Sequence, residues 1–152
     1  LRRFPLDDTA CETIDHFLPK SRYPELVYAW ENLYLACPRC QREKEANFDG
    51  CMDPATYCNE LLRPDEPGYR FERYFLFNYQ SGDIEPNPGA AELDQICAHY
   101  TIQSLGLNAG GRPQSRKRTL RRFARRSVAE DPVDDWPYRF LLETEAGTNA
   151  SA

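Results

Sequence analysis

Thr13 to Phe17 (T-I-D-H-F) and Asn32 to Ala36 (N-L-Y-L-A) are short runs in which apolar and polar positions alternate. Each run predicts a strand. Between them, Leu18 to Glu31 is broken by Pro19, Ser21 and Pro24 and reads as a loop, with Tyr23, Leu26, Tyr28 and Trp30 as its packing groups. Cys37-Pro38 makes a turn, and Arg39 to Phe48, rich in Gln, Glu, Lys and Ala, is helix-prone. The order is strand, loop, strand, helix.

Gly50, Pro54, Pro64, Pro67 and Gly68 punctuate the next stretch, around a short helix at Ala55 to Leu62. Tyr69 to Tyr79 alternates aromatics with charge and predicts a strand. Gln80 to Asp83 is a turn, and Ile84-Glu85 begins the return of a hairpin. Pro88 to Leu105 keeps helical period through Leu93, Ile96, Cys97, Tyr100 and Ser104 or Leu105, then stops at Gly106 and Asn108. Arg112 to Val128 predicts a basic helix with Leu120 and Phe123 on its apolar side. Residues 1–12 read as irregular, and the end of the chain mixes acid with Trp136, Phe140 and Leu141 before fraying at Gly147 to Ala152.

A length of 152 residues predicts one domain, with or without an appendage, and the strand, loop, strand, helix order places its first unit over 1–48, with 49–152 as a hairpin and helical extension packed on it. Hydrophobic residues at 41% and charged residues at 28% describe an ordinary globular chain. No apolar run is long enough to span a membrane. Leu1 to Asp8 lack the apolar centre of a secretory signal. The sequence begins with Leu1 rather than Met, as expected of a chain whose natural start is missing.

A net charge of −5 argues against a general nucleic-acid coat protein. The charge is uneven, however: Arg112 to Arg126 carries eight basic residues and no acid. Three readings of that run stand: Arg116, Lys117 and Arg121 meet nucleic-acid phosphates, or the run docks an acidic protein surface, or it is a solvated helix face. Of six cysteines only Cys37 and Cys40 form a C-x-x-C. Such usage suits a reducing compartment, the cytoplasm, with at most one metal knuckle.

The reactive groups of the first segment are Asp15-His16, Asn32 and Gln41. Phosphodiester hydrolysis needs a cation beside the leaving oxygen and a base that works near neutral pH. His16 suits the base, and Asp15 offers a carboxylate oxygen of the kind Mg²⁺ prefers. Strand alternation sends Asp15 and His16 to opposite sides, so a twist or bulge is needed for both to flank one phosphate. Asn32, at the entry to the second strand, is placed to tie down the loop after His16 through its amide. Lys20 and Lys44 are candidates to neutralise phosphate.

In that order, I-D-H-F-L-P-K-S (Ile14 to Ser21) and W-E-N-L-Y-L-A-C-P-R-C-Q-R-E-K (Trp30 to Lys44) resemble the HNH, or ββα-metal, endonucleases. Within them the chain is similar to the phage-defence HNH proteins of Septu and retron-linked systems. Weaker similarity continues in F-N-Y-Q-S-G-D-I-E-P (Phe77 to Pro86) and T-I-Q-S-L-G-L-N (Thr101 to Asn108).

The resemblance implies an α+β fold: a treble-clef-like ββα-metal core, an additional β-hairpin and C-terminal helices. It implies a nuclease dependent on Mg²⁺ or Mn²⁺, acting on DNA ahead of RNA, with an ABC/SMC-like ATPase as partner. Asp15 matches the first metal ligand, His16 the general base and Asn32 the middle Asn. Gln41 stands where the family has His or Asn as second ligand, with Glu45 near enough in sequence to help. Cys37 and Cys40 match half of a structural Zn²⁺ site, which Cys11 with a missing N-terminal residue, or Cys51 with Cys58, would complete. The alternatives are a scaffold of the same fold with a decayed metal site that binds an ATPase or nucleic acid, and a zinc-dependent DNA-binding domain without hydrolysis.

Overall fold

A computed structural model of the chain describes residues 2–3, 13–36, 38, 41–44, 61–63, 65–125, 138 and 141–142. Two strands fall where the alternation placed them: β2 (Thr13–His16) and β3 (Leu33–Ala36) pair antiparallel, with Thr13 opposite Ala36 and His16 opposite Leu33. The predicted irregularity of residues 1–12 is corrected at one point. A short β1 (Arg2–Arg3) adds parallel to β3, so the sheet order is β1-β3-β2. The loop between β2 and β3 contains two 3₁₀ turns, Pro24–Leu26 and Trp30–Asn32. Residues 41–44 are helical, inside the predicted helix. The predicted helix at Ala55 to Leu62 lies almost wholly outside the described residues, as do Cys11, Cys37, Cys40, Glu45, Cys51 and Cys58.

The predicted strand over Tyr69 to Tyr79 is only partly a strand. Phe71–Tyr74 forms a helical turn (α1), and β4 is confined to Phe75–Phe77, paired antiparallel with β5 (Ile84–Pro86). The reason lies in side-chain spacing. Phe71 and Phe75 meet at 5.4 Å four residues apart, a helical contact. Arg73 then holds Asp94 through both Nε, at 2.9 Å, and Nη2, at 3.0 Å.

Helix α2 (Glu92–Ser104) buries Cys97, Ala98, Tyr100, Thr101 and Ser104. Leu93 and Ile96, expected on its inner face, are 66% and 45% exposed. The buried stripe is rotated away from them because α2 serves two packing partners. Its Tyr100, with Leu105 just beyond, joins Phe17, Tyr34, Ala36 and Leu61 in one core cluster; Ala98 joins Phe71, Phe75, Ile84 and Leu141 in another. Leu107 packs on both. Among the described residues no helix is long and apolar enough to cross a membrane.

Helix α3 (Arg112–Phe123) carries the basic run and buries Phe123 as expected. Its inward face also holds two arginines. Arg112 gives Nη1 to the Leu105 carbonyl at 2.6 Å and to that of Gly106. Arg116, 2% exposed, donates to the Gly82 carbonyl at 3.0 Å, the Leu107 carbonyl and Asn108 Oδ1. Asn108 in turn pairs both ends of its amide with the backbone of Ile84, at 2.9 and 2.8 Å. The β4–β5 hairpin is thereby fastened to α3.

Gly82 is the tightest point of that contact. Its φ is +87°, and a Cβ there would stand 2.3 Å from the Pro113 carbonyl oxygen. Gly82→Ala is expected to destabilise the fold by at least about 1–3 kcal/mol from backbone strain alone. Chemical denaturation checks this, with a lowered midpoint expected.

Candidate active site

Asp15 and His16 end β2, and the pleat sends neighbouring side chains to opposite faces. Register is unbroken through His16, so no bulge turns the two side chains together, and their convergence on one phosphate falls to the twist of the strand end. Asp15 is buried and faces the helical residues 41–44, where the Lys44 ammonium bonds both its Oδ2 and the His16 carbonyl. Lys44 is 3% exposed. The expectation of Lys44 as a phosphate-neutralising residue is therefore corrected: its charge is spent inside the protein.

Gln41 lies one helical turn before Lys44, on the same helix face. Its Oε1 accepts from the Thr13 hydroxyl at 3.1 Å, and Thr13 is two residues before Asp15 on the same strand face. Thr13, Asp15, Gln41 and Lys44 thus form one contact between β2 and residues 41–44. A hard divalent ion asks for one or two protein oxygens and keeps several waters. Asp15 and Gln41 supply that donor chemistry on one surface, and in this respect they fit Mg²⁺ or Mn²⁺. The cation that Asp15 holds here is Lys44. Among the described residues no three His, Cys, Asp or Glu side chains gather into a metal cluster.

His16 occupies the other face. Its Nε2 lies 3.0 Å from the Val27 carbonyl. A carbonyl can only accept, so Nε2 carries the proton and Nδ1 keeps a lone pair in the neutral ring. The loop that supplies this carbonyl is locked by Asn32, which is 5% exposed. Asn32 Oδ1 accepts from the Leu18 amide at 2.7 Å, and its Nδ2 donates to the carbonyls of Leu18 at 3.1 Å and Leu26 at 3.2 Å. One amide thus joins the residues just after His16 to the residue before Val27. These are loop ties of the kind the position of Asn32 suggested.

Behind the hairpin, Tyr34 stands opposite Asp15 in the ladder and is fully buried. Its hydroxyl donates to Asp65 at 2.7 Å and accepts from Arg63 Nε at 3.0 Å. Burial, followed by the bond to Asp65, raises the phenol above the ordinary tyrosine range. Arg63 also lies 4.7 Å over the Phe17 ring and reaches the Glu31 carbonyl at 2.8 Å. The end of β2, and the turn that carries Asn32 into β3, are therefore backed by an ordered polar cluster.

Of the other predicted contacts, Lys20 is exposed on the loop after His16. Arg121 is exposed on α3, and Lys117 gives its ammonium to the Gln80 carbonyl. Arg116 as a nucleic-acid contact is corrected, because its guanidinium is buried and bonded to backbone carbonyls. Tyr28 and Trp30 are corrected in the opposite direction: expected to pack, they are 93% and 57% exposed. The Val27 carbonyl left no sequence signal, because every residue but its conformation offers the same group.

The HNH endonuclease family model matches residues 3–47, the segment that contains Asp15, His16, Asn32, Gln41 and Lys44. The HNH resemblance of those residues is thereby shown for this segment. Beyond the family, the chain is similar to the Septu protein PtuB of Bacillus thuringiensis, at 52% identity over 68 residues. That match covers 43% of this chain and only 23% of the relative's own length.

Proposed function

We propose that the protein is an HNH-type endonuclease that hydrolyses phosphodiester bonds of nucleic acid, DNA ahead of RNA, in a cytoplasmic phage-defence assembly with an ATPase partner. The observation that carries this reading is the His16 imidazole: Nε2–H bound to a backbone carbonyl, Nδ1 left with a lone pair, the supporting loop held by Asn32. A base held in one tautomer can take a proton from water without first reorienting. The match to the HNH model and the likeness to a Septu protein support the class and the setting.

HNH nucleases are generally metal-dependent. Asp15 and Gln41 would hold Mg²⁺ or Mn²⁺, which when bound stabilises charge on the scissile phosphate and on the departing oxygen. His16 accepts the proton of the attacking water at Nδ1. Val27 and Asn32 keep the ring in place. Lys20 and Arg121 are exposed cations available to phosphates. Cys37 and Cys40 stay as proposed ligands of a structural Zn²⁺.

Incubating the purified chain with plasmid DNA and with RNA, over Mg²⁺ and Mn²⁺ series and against EDTA, tests the reading. Ion-dependent cutting that EDTA abolishes is expected. Intact substrates under every ion, with and without the partner ATPase, would remove it.

The Asp15–Lys44 pair favours a second reading, an HNH-fold module without catalysis that binds an ATPase or nucleic acid. Calorimetry with Mn²⁺ separates the two, since the module would take up no ion at Asp15 even with nucleic acid present.

A further inference from the structure

The loop that holds His16 leaves two large aromatics in solvent. Tyr28 follows Val27 directly and is 93% exposed; Trp30, two residues on, is 57% exposed. This is not the looseness of an unanchored loop. Backbone bonds run from Leu26 to Tyr23 at 3.0 Å, from Ala29 to Leu26 at 3.1 Å and from Asn32 to Ala29 at 2.9 Å. The Asn32 side chain adds its bond to the Leu26 carbonyl. The two rings thus project from a pinned backbone, and their chain neighbours Leu26, Val27 and Ala29 are half-buried. On the sheet, Ile14 shares the His16 face of β2 and is 52% exposed. Lys20 and Arg22, both exposed, lie on the same loop.

Aromatic rings held in solvent beside cations are what unpaired nucleic acid binds. Every base offers a π-face to stack on, and the cations meet the phosphates between bases. A paired duplex keeps those faces covered by its own stacking. A protein partner fits the surface less well, because it would cover the loop that holds His16 and close off the substrate.

We propose that Tyr28 and Trp30 form a stacking platform for unpaired bases beside His16, so that this site receives its substrate as a single or locally unpaired strand. The inference rests on the nuclease reading and narrows its substrate class.

The test is the affinity of the full chain for three probes, with EDTA present so that no strand is cut: a fluorescent single-stranded oligonucleotide, the same strand with abasic sites, and the corresponding duplex. The base-bearing single strand is expected to bind most tightly. Tyr28→Ala and Trp30→Ala should each weaken it by about 5- to 150-fold, the range that loss of one base–aromatic stack spans. Duplex and abasic affinities should not change, and Tyr28→Phe and Trp30→Phe should restore binding.

Equal binding of base-bearing and abasic strands, or alanine variants that keep full single-strand affinity, overturns the platform. So does an alanine variant that keeps that affinity and loses only a protein partner. If base-dependent affinity stands while no ion supports cutting, the nuclease reading fails and the platform survives as a binding site. If cutting stands while base dependence is absent, the platform alone fails.

Discussion

His16→Ala is expected to lower cleavage by about 10²–10⁴-fold, the usual contribution of a positioned general base. It should leave the melting temperature nearly unchanged. The imidazole is only half-buried, and its one described bond, to the Val27 carbonyl, is worth on the order of 1 kcal/mol. The loop keeps its other ties, because Asn32 still bonds Leu18 and Leu26. A loss of cutting with an intact melting curve therefore reports on chemistry rather than on folding. The decisive measurement is the single-turnover rate of a homogeneous His16→Ala preparation beside its thermal melt. Cutting at the wild-type rate would eliminate His16 as the base.

Lys44→Met is expected to destabilise the protein by about 3–5 kcal/mol, because it removes the Lys44 ammonium from the buried Asp15 carboxylate. Adding Asp15→Asn should recover much of that loss, since a neutral amide no longer needs an ammonium beside it. The same pair predicts how the fold answers to metal. With Lys44 gone, Asp15 no longer shares its carboxylate with that ammonium on the surface it shares with Gln41, so Mn²⁺ should raise the melting temperature of Lys44→Met more than that of the wild type. The Asp15→Asn, Lys44→Met double variant should show no such gain. Thermal melts of the four proteins over a Mn²⁺ series check both halves. An identical response to Mn²⁺ in all four would mean that Asp15 does not hold the ion.

The position of Asn32 is an instructive case of what can be read before a structure is known. Its amide has two donors and one strong acceptor, and it stands where a strand begins opposite His16, so a tie to the intervening loop follows from chemistry and place. Arg116 shows the opposite. A basic residue in a basic run reads as surface, and nothing in the run distinguishes it from Arg121. The approach of the Gly82, Leu107 and Asn108 backbone and side-chain oxygens makes its burial favourable. Lys44 is similar: its partner lies 29 positions earlier in the chain.

By itself, the sequence determined strands β2 and β3, the two long helices and which side chains are candidates for chemistry, because strand alternation, helical period and side-chain type are local properties. The tertiary structure alone decided which charges face inward, which aromatics face solvent, and that Lys44 meets Asp15 while the Val27 carbonyl meets His16. Those outcomes depend on oxygens and apolar surfaces brought together from distant parts of the chain, and no local pattern encodes that meeting.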